Sequence, residues 1–169
     1  MLALMSPLAL VGVGFGLFLI LVLLSGIRYI PNDRVGVIEK RWSLGGSVKS
    51  GFIALNGEAG YEPEILRGGL HYRMPFQYRV HTMPLVTIPQ GRIGYLFARD
   101  GKPLAPTQTL AANPPNVNYQ DVRSFLAAGG QRGPQRTILR EGTYAINFAQ
   151  FLVVPLGKLY YLSMNGDVH

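Results

Sequence analysis

Three histidines, His71, His81 and His169, are the side chains best suited to bind a metal or relay a proton. They stand apart, with no His-x-x-x-His spacing and no Glu placed to complete a zinc site. The sequence has no cysteine, which removes thiol nucleophiles, disulfide frameworks and Cys-based zinc sites. No serine occupies a Gly-x-Ser-x-Gly elbow, and no glycine-rich loop ends in Gly-Lys-Ser or Gly-Lys-Thr, so neither acyl transfer nor nucleotide binding has its usual local signature. The carboxylates are scattered from Asp33 to Asp167, and no spacing pairs two of them for acid–base work. No catalytic residue, metal or cofactor is expected, and the chain reads as a non-enzyme. The chemistry that remains is cationic. Arg132, Arg136 and Arg140 recur every four residues among Gly and Pro, and their planar forks suit lipid phosphates or the carboxylates of a partner.

A second set of cations lies close to an apolar stretch. Residues 2–27 carry no charged side chain, and residues 8–27 approach the ~20 residues that cross a bilayer at ~1.5 Å per residue. A transmembrane helix is therefore expected over about 7–27, within a membrane anchor spanning 1–29, with Ser6 as its cap and Pro7 in its first turn. Arg28, Tyr29, Arg34, Lys40, Arg41 and Trp42 follow as the expected membrane-interface residues, cations for anionic headgroups and rings for the interfacial layer. The same cations place the body on the cytoplasmic face of the cell (inner or plasma) membrane, with a single pass. Gly12 and Gly16 form a Gly-x-x-x-Gly pair that suits close helix–helix packing. The net charge of +7, set beside this stretch, points to an anionic lipid bilayer and not to nucleic acid.

The body that must position these residues is rich in turns. With 21 Gly and 12 Pro, long helices are improbable after the first, and a β-rich α+β body is expected. Extended segments are expected at 34–41, 69–74, 78–88, 93–97 and 142–154, and a short helix at 119–128 with Asn118 as its cap. The four prolines at 103, 106, 114 and 115 mark residues 102–118 as an exposed, extended insertion. The body also repeats itself. Ile30-Pro31 through Arg34 and Gly36 returns as Ile88-Pro89 through Arg92 and Gly94, and Leu66-Arg67-Gly68-Gly69 returns as Leu139-Arg140-Glu141-Gly142. A duplicated module follows, with the Pro-rich insertion lengthening its second copy.

Five blocks in one order carry a resemblance. They are Ile30-Pro31 to Glu39, Leu66-Arg67-Gly68-Gly69-Leu70-His71-Tyr72-Arg73-Met74-Pro75-Phe76, Ile88-Pro89-Gln90-Gly91-Arg92-Ile93-Gly94, Ala98-Arg99-Asp100-Gly101 and Gly129-Gly130-Gln131-Arg132-Gly133-Pro134-Gln135. Together they resemble the stomatin, prohibitin, flotillin and HflK/HflC superfamily (SPFH, or band 7), nearest its bacterial flotillin-like branch, with 30–169 as the N-terminal portion of such a domain. The resemblance implies a membrane-anchored oligomeric scaffold that organises membrane microdomains or encloses membrane protein partners. Its partners would be further copies or other membrane protein subunits; the alternative is an accessory structural subunit of a larger membrane complex. Family members continue into a charged coiled coil, and no sustained heptads occur here, so lateral contact through the β-rich body is the expected mode of assembly.

Overall fold

A computed structural model describes residues 7–114 and 118–155. Ser6, Pro115 and His169, to which the sequence assigned roles, lie outside the described residues. The chain opens with helix α1 (Pro7–Leu24) and continues through strands β1 (Ile27–Ile30), β2 (Arg34–Lys40), β3 (Gly60–Leu66), β4 (Gly69–Tyr72) and β5 (Tyr78–Pro84). Strands β6 (Val86–Ile88) and β7 (Gly94–Ala98), helix α2 (Val122–Ala127), then β8 (Gly133–Leu139), β9 (Gly142–Tyr144) and β10 (Phe151–Pro155) complete it.

The expected membrane crossing is corrected by where α1 stops. Among the described residues the helix counts eighteen and spans ~27 Å, short of the ~30 Å of a hydrocarbon core. Among the described residues no helix is long and apolar enough to cross a membrane. The sequence count ran on to residue 27, but Gly26 closes the last turn on Leu23 and Ile27 is already paired with Tyr72 in a sheet. Gly26 is held there because a Cβ would meet the Arg73 carbonyl at 2.5 Å. The single-pass placement in the cell membrane, and the cytoplasmic side built on it, fall with the spanning helix. So does the part of the fold class that named one; the β-rich part fits.

The ten strands fall into two units of five. In the first, β1 pairs with β4, and β3-β2-β5 form a three-stranded sheet; in the second, β6 pairs with β9, and β8-β7-β10 repeat that order. The registers correspond as well. Ile30 faces Gly69 as Ile88 faces Gly142, and Gly36 faces Leu66 as Gly94 faces Leu139. Both β2 and β7 carry an irregularity one turn of the pleat later, at Val37/Glu39 and Tyr95/Phe97. Gly36 and Gly94 have the same reason to lack a side chain: a Cβ would strike Ile30 Cδ1 at 2.5 Å in one unit and Ile88 Cδ1 at 2.6 Å in the other. Ile30, Ile38, Leu66, Tyr78 and Val80 fill the first unit as Ile88, Leu96, Leu139, Phe151 and Val153 fill the second.

Three strands lie outside the expected set, and four others were expected as halves of two longer ones. Pro63 in β3 and Pro134 in β8 hide strand character, yet both strands sit at sheet edges, where a missing N–H costs no ladder bond. The expected 78–88 strand breaks at Leu85, whose N–H turns to the Asp33 carbonyl, and 142–154 breaks at a buried loop through Ile146. Helix α2 begins later than expected, capped by Asp121, whose carboxylate accepts from the Ser124 N–H at 3.0 Å. The Pro-rich insertion is not wholly exposed: Ala111 is buried and bridges to Gln135 on β8.

Candidate functional site

Helix α1 is apolar all round, and its side chains from Leu8 to Leu24, Phe15 and Phe18 among them, are largely exposed. Such a helix has no polar face to offer water, so the surface next to its foot is where a partner would be met. That surface is the β1–β4 ribbon. Ile27 opposes Tyr72 and Tyr29 opposes Leu70, so four large apolar side chains share one exposed face. Tyr29 is 68% exposed and Leu70 73%. In the turn after β4, Phe76 is exposed and held at φ 69°, a left-handed conformation that costs a non-glycine residue about 1 kcal/mol or more, and it lines the cleft behind the ribbon. The second unit shows that the fold does not ask for this collar, because Thr87 and Thr143 pair where Tyr29 and Leu70 stand in the first.

On the other side of the ribbon opens a cleft of about 340 Å³ that reaches back to Ser25 and Gly26 at the end of α1. Four arginines line it: Arg28 on β1, Arg41 just past β2, Arg73 just past β4 and Arg79 on β5. None of them has a carboxylate within 4.0 Å among the described residues. The Arg73 Nε is buried without a hydrogen-bond partner, while its Nη1 reaches the Tyr72 carbonyl at 3.4 Å.

The structure thus regroups the expected interface residues. Arg28 and Arg41 come together, and Arg73 and Arg79, which sequence spacing did not single out, join them. Arg34 starts β2 at the opposite end from Arg41, roughly 20 Å along the strand, beside Asp33 at 4.0 Å. Lys40 is turned inward along the surface, its Nζ donating to the Gly57 carbonyl at 2.6 Å and standing 6.0 Å from the Tyr78 ring. Trp42 is half-exposed, and its carbonyl accepts from Gln77 Nε2 at 3.4 Å. Arg132, Arg136 and Arg140 are all exposed but spread along β8, one before it, one within it and one after it, so they form a line and not a pocket. Gly12 and Gly16 meet nothing within 4 Å, leaving a groove on α1 open.

The remaining polar clusters serve structure. His81 Nε2 meets Glu39 Oε2 at 2.7 Å with the Tyr61 ring 6.0 Å away, and no hydroxyl hydrogen-bonds to that histidine among the described residues. No three His, Asp or Glu side chains converge to hold a metal ion among the described residues. Asp100 accepts from the N–H groups of Phe52 at 3.1 Å, Ile53 at 3.4 Å and Gly101 at 2.8 Å, tying the first unit's loop to the end of β7. Its Arg99 neighbour lies over the Phe52 ring at 5.0 Å. Burial pushes the Glu62 carboxyl above its ordinary range, with Arg73 pulling the other way. The Ser124 hydroxyl and N–H hold Asp121 below its ordinary range.

No family profile, curated protein or solved structure matches this chain.

A third surface emerges from comparing the units. Val37, Glu39, Ile65 and His81 occupy one face of the β3-β2-β5 sheet; the same positions of β8-β7-β10 carry Tyr95, Phe97, Ile138 and Val154, with Leu152 where Arg79 stands. Val37 is 3% exposed and belongs to the main core, whereas Tyr95 is 45% exposed and Phe97 42%. The difference has a visible cause. The first unit's face is covered by its loop through Ile53, which pairs with Tyr61, and by α2 and Asn147 of the second unit, whose Nδ2 donates to the Glu62 carbonyl at 3.0 Å. The second unit's face is left open.

Proposed function

We propose that this chain is a non-enzymatic, oligomeric scaffold of the SPFH (band 7) kind that associates with membranes through its apolar helix and collar. The observation that carries the reading is the open apolar face of the second unit. Tyr95, Phe97, Ile138 and Leu152 form a contiguous apolar sheet surface, whereas in the first unit the counterpart of Tyr95, Val37, is buried under its neighbours and those of Phe97 and Ile138, Glu39 and Ile65, are half-buried. One unit already seats on the next inside a single chain, so the occupant that fits the open face is the first unit of another copy. That contact is head-to-tail, the kind that builds rings or filaments. The five sequence blocks that resemble the superfamily support the same assignment. Helix α1 contributes attachment: its apolar surface is taken up by lipid or by apolar partner helices without itself crossing the bilayer.

An accessory structural subunit of a larger membrane complex is the second reading, favoured by the open Gly12–Gly16 groove on α1, where a foreign helix can approach closely. Light scattering coupled to gel filtration in mild detergent separates the two. The scaffold requires a mass of many copies that falls to the monomer in Phe97→Asp, a change at an exposed position that leaves the core untouched. A wild-type monomer, or a Phe97→Asp assembly of unchanged size, overturns the head-to-tail scaffold.

A further inference from the structure

The arginine cleft at the foot of α1 goes beyond a general attraction to anionic surfaces. Strand order and loop length make the turn after β4 equivalent to the turn after β9, and the hydrogen bonds agree: Tyr78 N–H to Met74 O at 3.3 Å matches Phe151 N–H to Asn147 O at 2.9 Å. Arg41 N–H to Gln77 O and Arg99 N–H to Gln150 O, both 2.8 Å, match as well. With the frames aligned, the counterparts of Arg28, Arg73 and Arg79 are Val86, Ile146 and Leu152. Val86 packs against the core and Ile146 is fully buried. The second unit therefore packs apolar side chains at two of these positions, carries an exposed Leu152 at the third and an arginine, Arg99, at that of Arg41, whereas the first unit surrounds an open cleft with four guanidinium groups.

Holding four like charges around one cleft is unfavourable, and leaving the Arg73 Nε buried and unpaired adds a desolvation cost. Both costs are offset by an anion with several acceptor oxygens. Carboxylates within 4.0 Å are absent from the four arginines among the described residues, and Glu62, the acid whose charge reaches Arg73, does not line the cleft. The rigid fork of arginine matches the spacing of phosphate oxygens. We propose that the cleft is a specific site for a phosphate group, carried either by a lipid headgroup or by a free phosphate ester. This inference does not rest on the scaffold assignment, because a monomer would bind phosphate equally well.

Full-length protein in mild detergent is titrated with inorganic phosphate by calorimetry. It is also floated with phosphatidylcholine vesicles containing phosphatidic acid, or phosphatidylserine at matched surface charge. The expected result is saturable binding of inorganic phosphate, weakened about tenfold or more by Arg28→Gln and by Arg79→Gln, as loss of a hydrogen bond to a charged group implies. Both residues are exposed, so both variants should fold. Arg136→Gln, on the distant β8 line, should bind as wild type. Arg73→Lys keeps the charge but removes the Nε donor, and should weaken binding similarly. Preference for phosphatidic acid over phosphatidylserine, abolished by Arg28→Gln, assigns the source to a headgroup; phosphate binding without that preference assigns it to a soluble ester. No saturable binding in either arm overturns the site, and so does equal weakening by Arg136→Gln, which would reduce it to diffuse charge.

Discussion

Glu62 stands on β3 where burial disfavours its ionised form, and Arg73 compensates only in part. Ionising this carboxyl therefore costs more in the folded chain than in the unfolded one. Its contribution to stability is fully present below about pH 4, near the unfolded carboxyl's own value, and is lost as pH rises through the raised folded value. Glu62→Gln carries the shape of the protonated form at every pH. The variant should melt at a higher temperature than wild type at pH 7, and the gap should close as pH is lowered to 4. Thermal scans across that range check it, and a variant less stable at pH 7 would mean that the attraction to Arg73 outweighs desolvation. Asp121 has the opposite sign: its lowered carboxyl, held by Ser124, contributes stability above the ordinary carboxylate range that is lost as pH falls through the lowered value.

At the scale of elements, the Ala98-Arg99-Asp100-Gly101 block is one of the places where the two units are tied together, beside the Asn147 and Arg123 contacts to β3. Asp100 satisfies two N–H groups of the loop after β2, and Gly51 lies so close that a Cβ there would overlap the carboxylate. Asp100→Ala strands those donors and should cost about 3 kcal/mol, the sum of charge-assisted bonds lost and N–H groups left unpaired. Chemical denaturation measures it, and a loss under about 1 kcal/mol would mean that water replaces the carboxylate without penalty. The sequence showed this block as a motif but not as a clamp, because its partners lie 47 and 48 residues away. The duplication was legible through Ile30-Pro31 and Ile88-Pro89, where turn chemistry and an isoleucine–glycine contact recur locally. Strands β3 and β8 were not, since a proline, at the middle of β3 and near the start of β8, masks an edge strand's periodicity. The arginine cleft was half legible: Arg28 and Arg41 sit near the apolar helix in sequence, but only the pairing of β1 with β4 and β2 with β5 brings Arg73 and Arg79 beside them. Helix length was misjudged because apolar residues were counted past Gly26, where packing against the Arg73 carbonyl turns the chain into a strand.

For the whole molecule, the two units act as each other's control. A position that is apolar and buried in both belongs to the fold, as with Ile38 and Leu96; one that is apolar and exposed in a single unit needs a reason outside the fold. Tyr29 and Leu70 are of the second kind, with Thr87 and Thr143 in the matching pair. The double variant Tyr29→Thr, Leu70→Thr should therefore fold with stability within about 1 kcal/mol of wild type, as surface changes away from packed features do. Its association with membranes should nevertheless weaken, because the two side chains present apolar surface worth about 25 cal/mol per Å² once removed from water. Chemical denaturation reads the first expectation, and flotation with anionic vesicles reads the second. If the variant unfolds, the collar is part of the first unit's packing. If it folds and floats as well as wild type, attachment resides in α1 alone and the exposed ribbon is free for a protein neighbour.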